Sequence, residues 1–186
     1  MNRIERYNKI AQKDKSKSLE IIAKLNVQKD DNILEIGVGG GYFAGLFSDI
    51  IGEKGVYYGA DTENIFLENL EKINQSKKSK NIYTLKINTD ELPNPQKKVN
   101  LIFTRNVYHH LSNRIEYFKK LSNFLEEDGK VAIIDYDESF TLMRLFRHYT
   151  KSKVIVSEMI QANYVLKNEY NMLKGQKFYL FERNKK

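Results

Sequence analysis

A chain of 186 residues without cysteine is long enough to bury one core without staples; one domain, 1–186, is expected, and disulfides, thiolate zinc sites and protein thiol nucleophiles are excluded. No apolar run reaches the roughly 20 residues that a membrane-spanning helix needs, and the opening MNRIERYNKIAQKDKSKS lacks the apolar centre of a signal peptide, so a cytoplasmic location is expected. The net charge of +7 permits an anionic partner such as RNA, yet the lysines gather at turns and termini (Lys77, Lys78 and Lys80; Lys97 and Lys98; Lys185 and Lys186), the pattern of a solvated surface.

From Arg3 to Leu25 the residues Ile4, Tyr7, Ile10, Leu19, Ile22 and Leu25 recur at helical spacing, with a break expected near the polar KDKSKS. Strand-length apolar runs follow at Asn32 to Gly37, Val56 to Asp61, Asn81 to Asn88, Val99 to Arg105 and Lys130 to Tyr136. Amphipathic stretches separate them. Tyr42 to Ile51 carries Phe43, Leu46, Phe47 and Ile50, and Thr62 to Gln75 opens on a threonine able to cap and continues through Ile65, Phe66, Leu70 and Ile73. Ser112 to Glu126 repeats the pattern and is expected to stop at Asp128-Gly129. Thr89 to Lys98 holds both prolines and reads as an irregular loop at the carboxyl end of the third strand. Beyond Tyr136 come a basic, aromatic connection from Phe140 to Tyr149 and a helix from Lys151 to Asn163. Two strands, Tyr164 to Tyr170 and Lys177 to Glu182, then flank the turn signal Lys174-Gly175. A short link of that kind makes the two strands antiparallel, whereas the alternation before it predicts a parallel sheet with helices on both faces.

The stretch ILEIGVGGGYFAGLFSD, Ile33 to Asp49, crowds four glycines between a strand and a helix. Such a turn is expected to leave room for a ligand to meet backbone N–H groups without striking a Cβ. Its spacing is E-x-G-x-G-x-G, on Glu35, Gly37, Gly39 and Gly41; the third glycine of a dinucleotide G-x-G-x-x-G would fall on Tyr42. A carboxylate at Glu35 suits the ammonium of an amino-acid portion of a ligand, which NAD does not possess. Asp61, about 20 residues farther on, stands where a carboxylate accepts bonds from ribose hydroxyls, or caps the helix starting at Thr62.

With ILEIGVGGG, VYYGAD, INTDELPNP, VNLIFTRNVYHHL and LEEDGKVAIIDY in this order, the chain resembles the class I S-adenosylmethionine-dependent methyltransferases, from ERYNKIA to KFYLFER. The resemblance implies a Rossmann-like α/β fold: a seven-stranded, mostly parallel sheet with helices on both faces and the last strand antiparallel. It divides the domain into a leading helical segment (1–28), a cofactor-binding core (29–136) and a C-terminal substrate-side helix and strands (137–186). It implies S-adenosylmethionine as cofactor, its methionine end on Glu35, Gly37, Gly39 and Gly41, its ribose on Asp61 and its adenine beside Thr62. Thr104, Arg105, Asn106 and Val107 would run under the sulfonium, and Tyr7 is similar to the leading-helix tyrosine that lids the cofactor in such enzymes, or else belongs to the core. Where the family has an aspartate and a small residue after the third strand, this chain has Asn88-Thr89, with Asp90 next; an asparagine carbonyl still accepts from an exocyclic amine.

Tyr108, His109 and His110 follow the fourth strand directly and are the candidate catalytic residues, since an imidazole is suited to accepting a proton near neutrality. Neighbouring side chains on a starting helix point about 100° apart, so at most one histidine is expected to face the pocket. His148, in MRLFRHY, is a further histidine, expected at the surface. No metal is expected, because His109 and His110 are too cramped to ligate one ion and no H-x-x-x-H accompanies them. Asn106-Val107-Tyr108 departs from the Asn-Pro-Pro-aromatic signature of methyltransferases that act on nucleobase amines, and the cysteines used for arsenite methylation are lacking. The expected function is methyl transfer to a small-molecule acceptor by a monomer or homodimer with no membrane association. RNA or protein methylation on the basic surface, and a non-catalytic methyltransferase-like partner subunit, are the alternatives.

Overall fold

The chain enters through α1 (Arg3–Ala11), closed by a reciprocal capping box: the Asn2 side chain accepts from the Glu5 N–H at 2.8 Å while Glu5 Oε2 accepts from the Asn2 N–H at 3.2 Å. In this computed structural model, residues 1–137 and 149–185 are described. The break expected in KDKSKS is a 3-10 turn (Asp14–Ser16) followed by Lys17 in the left-handed region, φ 48°, before α2 (Ser18–Leu25).

Then come β1 (Asn32–Ile36), α3 (Tyr42–Ile51), β2 (Val56–Asp61), α4 (Asn64–Ser76), β3 (Ile82–Lys86) and β4 (Val99–Arg105), and the prolines lie in the irregular β3–β4 connection as expected. A 3-10 turn (Tyr108–His110), α5 (Arg114–Leu121), β5 (Leu125–Tyr136), α6 (Ser152–Gln161), β6 (Tyr164–Tyr170) and β7 (Gln176–Arg183) complete the order. The seven strands form one sheet in the order β3-β2-β1-β4-β5-β7-β6. β1 to β5 pair in parallel and the last strand, β7, runs antiparallel to both β5 and β6. This is the Rossmann-like architecture that the resemblance implies.

Strand alternation divides the apolar residues between two cores. Ile33, Tyr57 and Phe103 pack with α2, α3 and α4 through Ile21, Phe47 and Leu70; Leu34, Tyr58 and Ile102 pack with α5 and α6 through Phe118 and Met159. The parallel strands open their carboxyl ends onto one rim, where the β1–α3, β2–α4 and β4–α5 connections meet.

Among the boundaries that differ from the sequence reading are the starts of α4 and β5. Thr62 is not the cap of α4, which begins at Asn64; instead the Glu63 N–H donates to Asp61 Oδ1 at 3.0 Å. The helix expected up to Glu126 ends as α5 plus a 3-10 turn (Ser122–Phe124), and β5 starts at Leu125 rather than Lys130. Leu125, fully buried, pairs with Val99 across a register shift. Gly129 serves that bulge: a Cβ there would lie 3.0 Å from the Val99 carbonyl oxygen. Most of the Phe140 to Tyr149 connection, including His148, lies outside the described residues. Among the described residues no helix is long and apolar enough to cross a membrane.

Candidate functional site

The glycine turn between β1 and α3 is enclosed mainly by protein. At Gly37, φ 81°, a Cβ would come within 2.3 Å of Val107 Cγ2, and at Gly40 one would come within 2.2 Å of Asn8 Oδ1 and 2.9 Å of the Ile4 carbonyl oxygen. A Cβ on Gly41 would meet Ile73 Cδ1 at 2.7 Å. The missing side chains therefore let the β4–α5 connection, α1 and α4 close around the turn. Gly39 differs, since a Cβ there would make an ordinary 3.4 Å contact with the Tyr7 ring.

Helix α1 lies over this turn although none of its residues is buried. It is tied down at its start, where the Arg3 guanidinium grips both Glu63 oxygens at 2.5 and 2.7 Å and sits 5.0 Å from the Phe66 ring centre. Tyr7 packs on the same Phe66 at 5.6 Å. An amphipathic helix held by a bidentate ion pair and two ring contacts thus roofs the carboxyl ends of β1 and β2.

Two acids lie beneath it. Glu35 is 3% exposed and accepts from the Tyr57 hydroxyl at 2.5 Å. Burial pushes its carboxyl up to about 8, with the Asp61 charge adding to the rise and the Tyr57 bond and Arg105 opposing it. Asp61 ties the β2 end to the glycine turn: Oδ2 accepts from the Gly39 N–H at 3.3 Å while Oδ1 takes Glu63. Burial raises Asp61 too, and its backbone N–H donors hold it back.

The end of β4 supplies a cation. Arg105 is partly buried, donates from Nη2 to Gln176 Oε1 at 3.0 Å and to the Ser16 carbonyl at 3.3 Å, and sits 5.7 Å from the Phe43 ring centre. Burial lowers it to about 10, with Tyr136 and Glu35 pulling the other way. Among the described residues neither Glu35 nor Arg105 makes an ion pair. Asn106, at φ 60°, accepts from Gln176 Nε2 and directs its own amide at the Tyr136 hydroxyl, 3.5 Å away.

The adenine-side positions are more open. Thr62 is exposed, its carbonyl accepting from Lys86 Nζ. Asn88 uses its backbone N–H and Nδ2 on Glu91 Oε2 at 2.8 and 2.7 Å and its backbone carbonyl accepts from the Glu91 N–H at 3.1 Å, while its side-chain oxygen Oδ1 has no partner among the described residues; Thr89 is exposed, and Asp90 accepts from the Ser112 N–H.

The three residues after β4 diverge. A 3-10 turn places successive side chains about 120° apart, and Tyr108 points into the core. It is fully buried, stacks on Phe118 at 5.4 Å and donates to Glu158 Oε2 at 2.6 Å, a carboxylate that Arg114 grips at 2.7 and 2.8 Å. That placement joins α5 to α6 and removes Tyr108 from the candidate catalytic group. His109 turns inward, its side chain 5% exposed and Nδ1 2.7 Å from Oδ1 of the fully buried Asp135; His110 is exposed, its ring 4.0 Å from that of His109.

Sequence reasoning passed over Asp135, Tyr136, Gln176 and Tyr57. An acid ending the apolar run VAIID was a visible signal for Asp135; nothing local marks Gln176, which arrives only through the antiparallel return of β7. Among the described residues no group of three or more acids and histidines is placed to hold a metal. The groove between α6 and β6, lined by Val156, Ile160 and Leu166, contains none of the residues described above.

A family model described as a methyltransferase domain matches residues 5–183. No curated protein matches the chain in sequence. Among solved structures, a SAM-dependent methyltransferase from Aquifex aeolicus superposes with a TM-score of 0.77 at 21% identity, covering 87% of each chain. A chain from the complex of the Haloferax volcanii Trm112 methyltransferase activator with a methyltransferase gives 0.74 at 12% identity, covering 89% of this chain and 87% of that one. Aeropyrum pernix fibrillarin, natively bound to S-adenosyl-L-methionine, gives 0.64 at 14% over 83% and 67%. At these identities the similarity is one of fold.

Proposed function

This chain belongs to the methyltransferase-domain family, and on that premise we propose that it transfers a methyl group from S-adenosylmethionine to a small-molecule acceptor. The observation that carries the reading is the pair Glu35 and Arg105: opposite in charge type, set on one rim, within each other's field and without ion-pair partners among the described residues. An amino acid's ammonium and carboxylate complement them, and the methionyl end of the cofactor carries both. NAD carries neither.

Asp61, already bonded to the glycine turn, is assigned to the ribose hydroxyls, Thr62 and Asn88-Thr89 to the adenine edge, Gly37, Gly39 and Gly41 to the methionyl backbone approach, and Tyr7 to the roof. Asn106, oriented by Gln176 and Tyr136, is assigned to the floor beneath the sulfonium. When bound, the cofactor supplies an electrophilic methyl group for in-line displacement. The protein's share is then to align the acceptor and to exclude water under α1. His109 and Asp135 are recessed, which favours a small acceptor that can enter over a flat polymer that must lie across the rim.

Calorimetry tests the cofactor assignment. S-Adenosylhomocysteine is expected to bind and NAD not to, and Asp61→Ala should weaken S-adenosylhomocysteine about tenfold or more by removing bonds to a charged acceptor. Unaltered affinity in that variant would reject the ribose assignment. A screen for released S-adenosylhomocysteine against metabolite pools and total RNA, the latter at two salt concentrations, separates small-molecule from RNA acceptors.

A further inference from the structure

We propose that Asp135 orients His109 as the general base of the transfer, and hence that the acceptor is a nucleophile that must surrender a proton, a hydroxyl or an amine. The inference rests on the methyltransferase reading above.

The carboxylate of Asp135 holds His109 at two points: Oδ1 is 2.7 Å from Nδ1, and Oδ2 accepts from the His109 backbone N–H at 2.8 Å. Oδ1 also accepts from the Tyr136 N–H at 2.7 Å. The imidazole can neither rotate nor shift without breaking one of these bonds. Against a carboxylate, which accepts only, a neutral imidazole carries its proton on Nδ1 and its lone pair on Nε2, at the opposite edge of the ring.

A carboxylate that merely capped a 3-10 turn would be expected at the surface, where desolvation is slight. Asp135 is 0% exposed, and among the described residues no lysine or arginine pairs with it. The His109 and Tyr136 backbone N–H groups offset part of the cost of burying a carboxylate there, and among the described residues the cationic partner within reach is the imidazole once it has gained a proton. The arrangement is preorganised for the state that follows proton abstraction.

The dyad also adjoins the rim residues assigned to the cofactor. The turn holding His109 starts three residues beyond Arg105, and the intervening Val107 fills the space beside Gly37. Tyr136 links the two regions: its ring centre is 6.1 Å from that of His109, its hydroxyl is 3.5 Å from Asn106 Nδ2, and it lies within the field of Arg105 and Tyr7. Among the described residues, the titratable groups in contact with the imidazole include His110 on its own turn and Asp135 and Tyr136 on β5.

In the step, a lone pair on the acceptor atom forms the bond to the methyl carbon, and the carbon–sulfur bond breaks with its electron pair returning to sulfur as a thioether. The acceptor's proton passes to His109 Nε2, giving an imidazolium against Asp135, and leaves to solvent after product release. Carboxylate acceptors, already deprotonated, would make no use of the dyad.

Because the chain holds three histidines, nitrogen-15 NMR of histidine-labelled protein tests the proposal without a known acceptor. The wild type is expected to show His109 protonated at Nδ1 and unprotonated at Nε2. Asp135→Asn should reverse this if it folds, because the amide nitrogen can donate to Nδ1. Sinefungin, which carries an amine in place of the methylsulfonium, should move the His109 Nε2 resonance, and S-adenosylhomocysteine, which lacks that group, should leave it nearly in place. An Nε2-protonated His109 in the wild type, or an Nε2 signal unmoved by sinefungin that calorimetry shows to be bound, overturns the base assignment and leaves the cofactor site standing. Failure of the folded protein to bind either compound overturns the methyltransferase reading and this inference with it.

Discussion

Replacing Glu35 by glutamine isolates the electrostatics of the rim. Burial has moved this carboxyl from 4.5 to about 8, so between those values the folded protein retains a proton that the unfolded chain has released. Stability therefore falls as pH rises: the contribution is complete below the unfolded value and is lost on passing through the folded one. With about 1.4 kcal/mol per pH unit for one proton, the wild type should lose about 2.5 kcal/mol relative to Glu35→Gln between pH 5 and pH 7. The substituted amide keeps an acceptor for the Tyr57 hydroxyl but has no proton to exchange, and Asp61, raised in the same direction, is present in both proteins. Urea unfolding at a series of pH values measures the difference directly. A second reading comes from the ligand. If an ammonium meets Glu35, binding of S-adenosylhomocysteine at pH 7 should release close to one proton, visible as a dependence of the calorimetric enthalpy on buffer ionisation, and Glu35→Gln should abolish it. Parallel pH dependences in the two proteins would refute the burial argument, and proton release unchanged by the substitution would refute the ammonium assignment.

Gly37→Ala places a Cβ against Val107 at a left-handed backbone position. Strain of about 1–2 kcal/mol and overpacking of about 1–3 kcal/mol should combine to lower the urea midpoint clearly; a midpoint within error of the wild type would show that the β4–α5 connection yields freely. Tyr108→Phe removes one buried hydroxyl whose partner Glu158 retains Arg114. A loss of about 1 kcal/mol is expected, with S-adenosylhomocysteine affinity unchanged, and weakened affinity would return Tyr108 to the site.

Much of the site's scaffold was legible because periodicity is local. Short apolar runs at Asn32 to Gly37 and Val56 to Asp61 mark strands, helical spacing marks α3 and α4, and the acids Glu35 and Asp61 fall at or near strand ends by simple counting. The proline-rich link before β4 and the antiparallel β6–β7 pair are likewise local signals, written in turn residues and short connections. The extension of β5 back to Leu125 was not, because Asp128-Gly129 has the signature of a helix stop and becomes a bulge only when Val99 pairs with Leu125.

Sequence alone determined the order of elements and the neighbourhood of the rim, since each depends on the phase of apolar residues within a single segment. Tertiary structure decided which side chains meet there. Asp135 reaches His109 across 26 positions, and Gln176 reaches Asn106 and Arg105 across 70 and 71, because β4, β5 and β7 are neighbours in the sheet. The 3-10 turn after β4 decided that Tyr108 would face the core and His109 the acid. Phase within a strand does not carry through the turn that ends it, so the direction of a side chain at the rim is set by the turn's geometry and by whatever strand lies alongside.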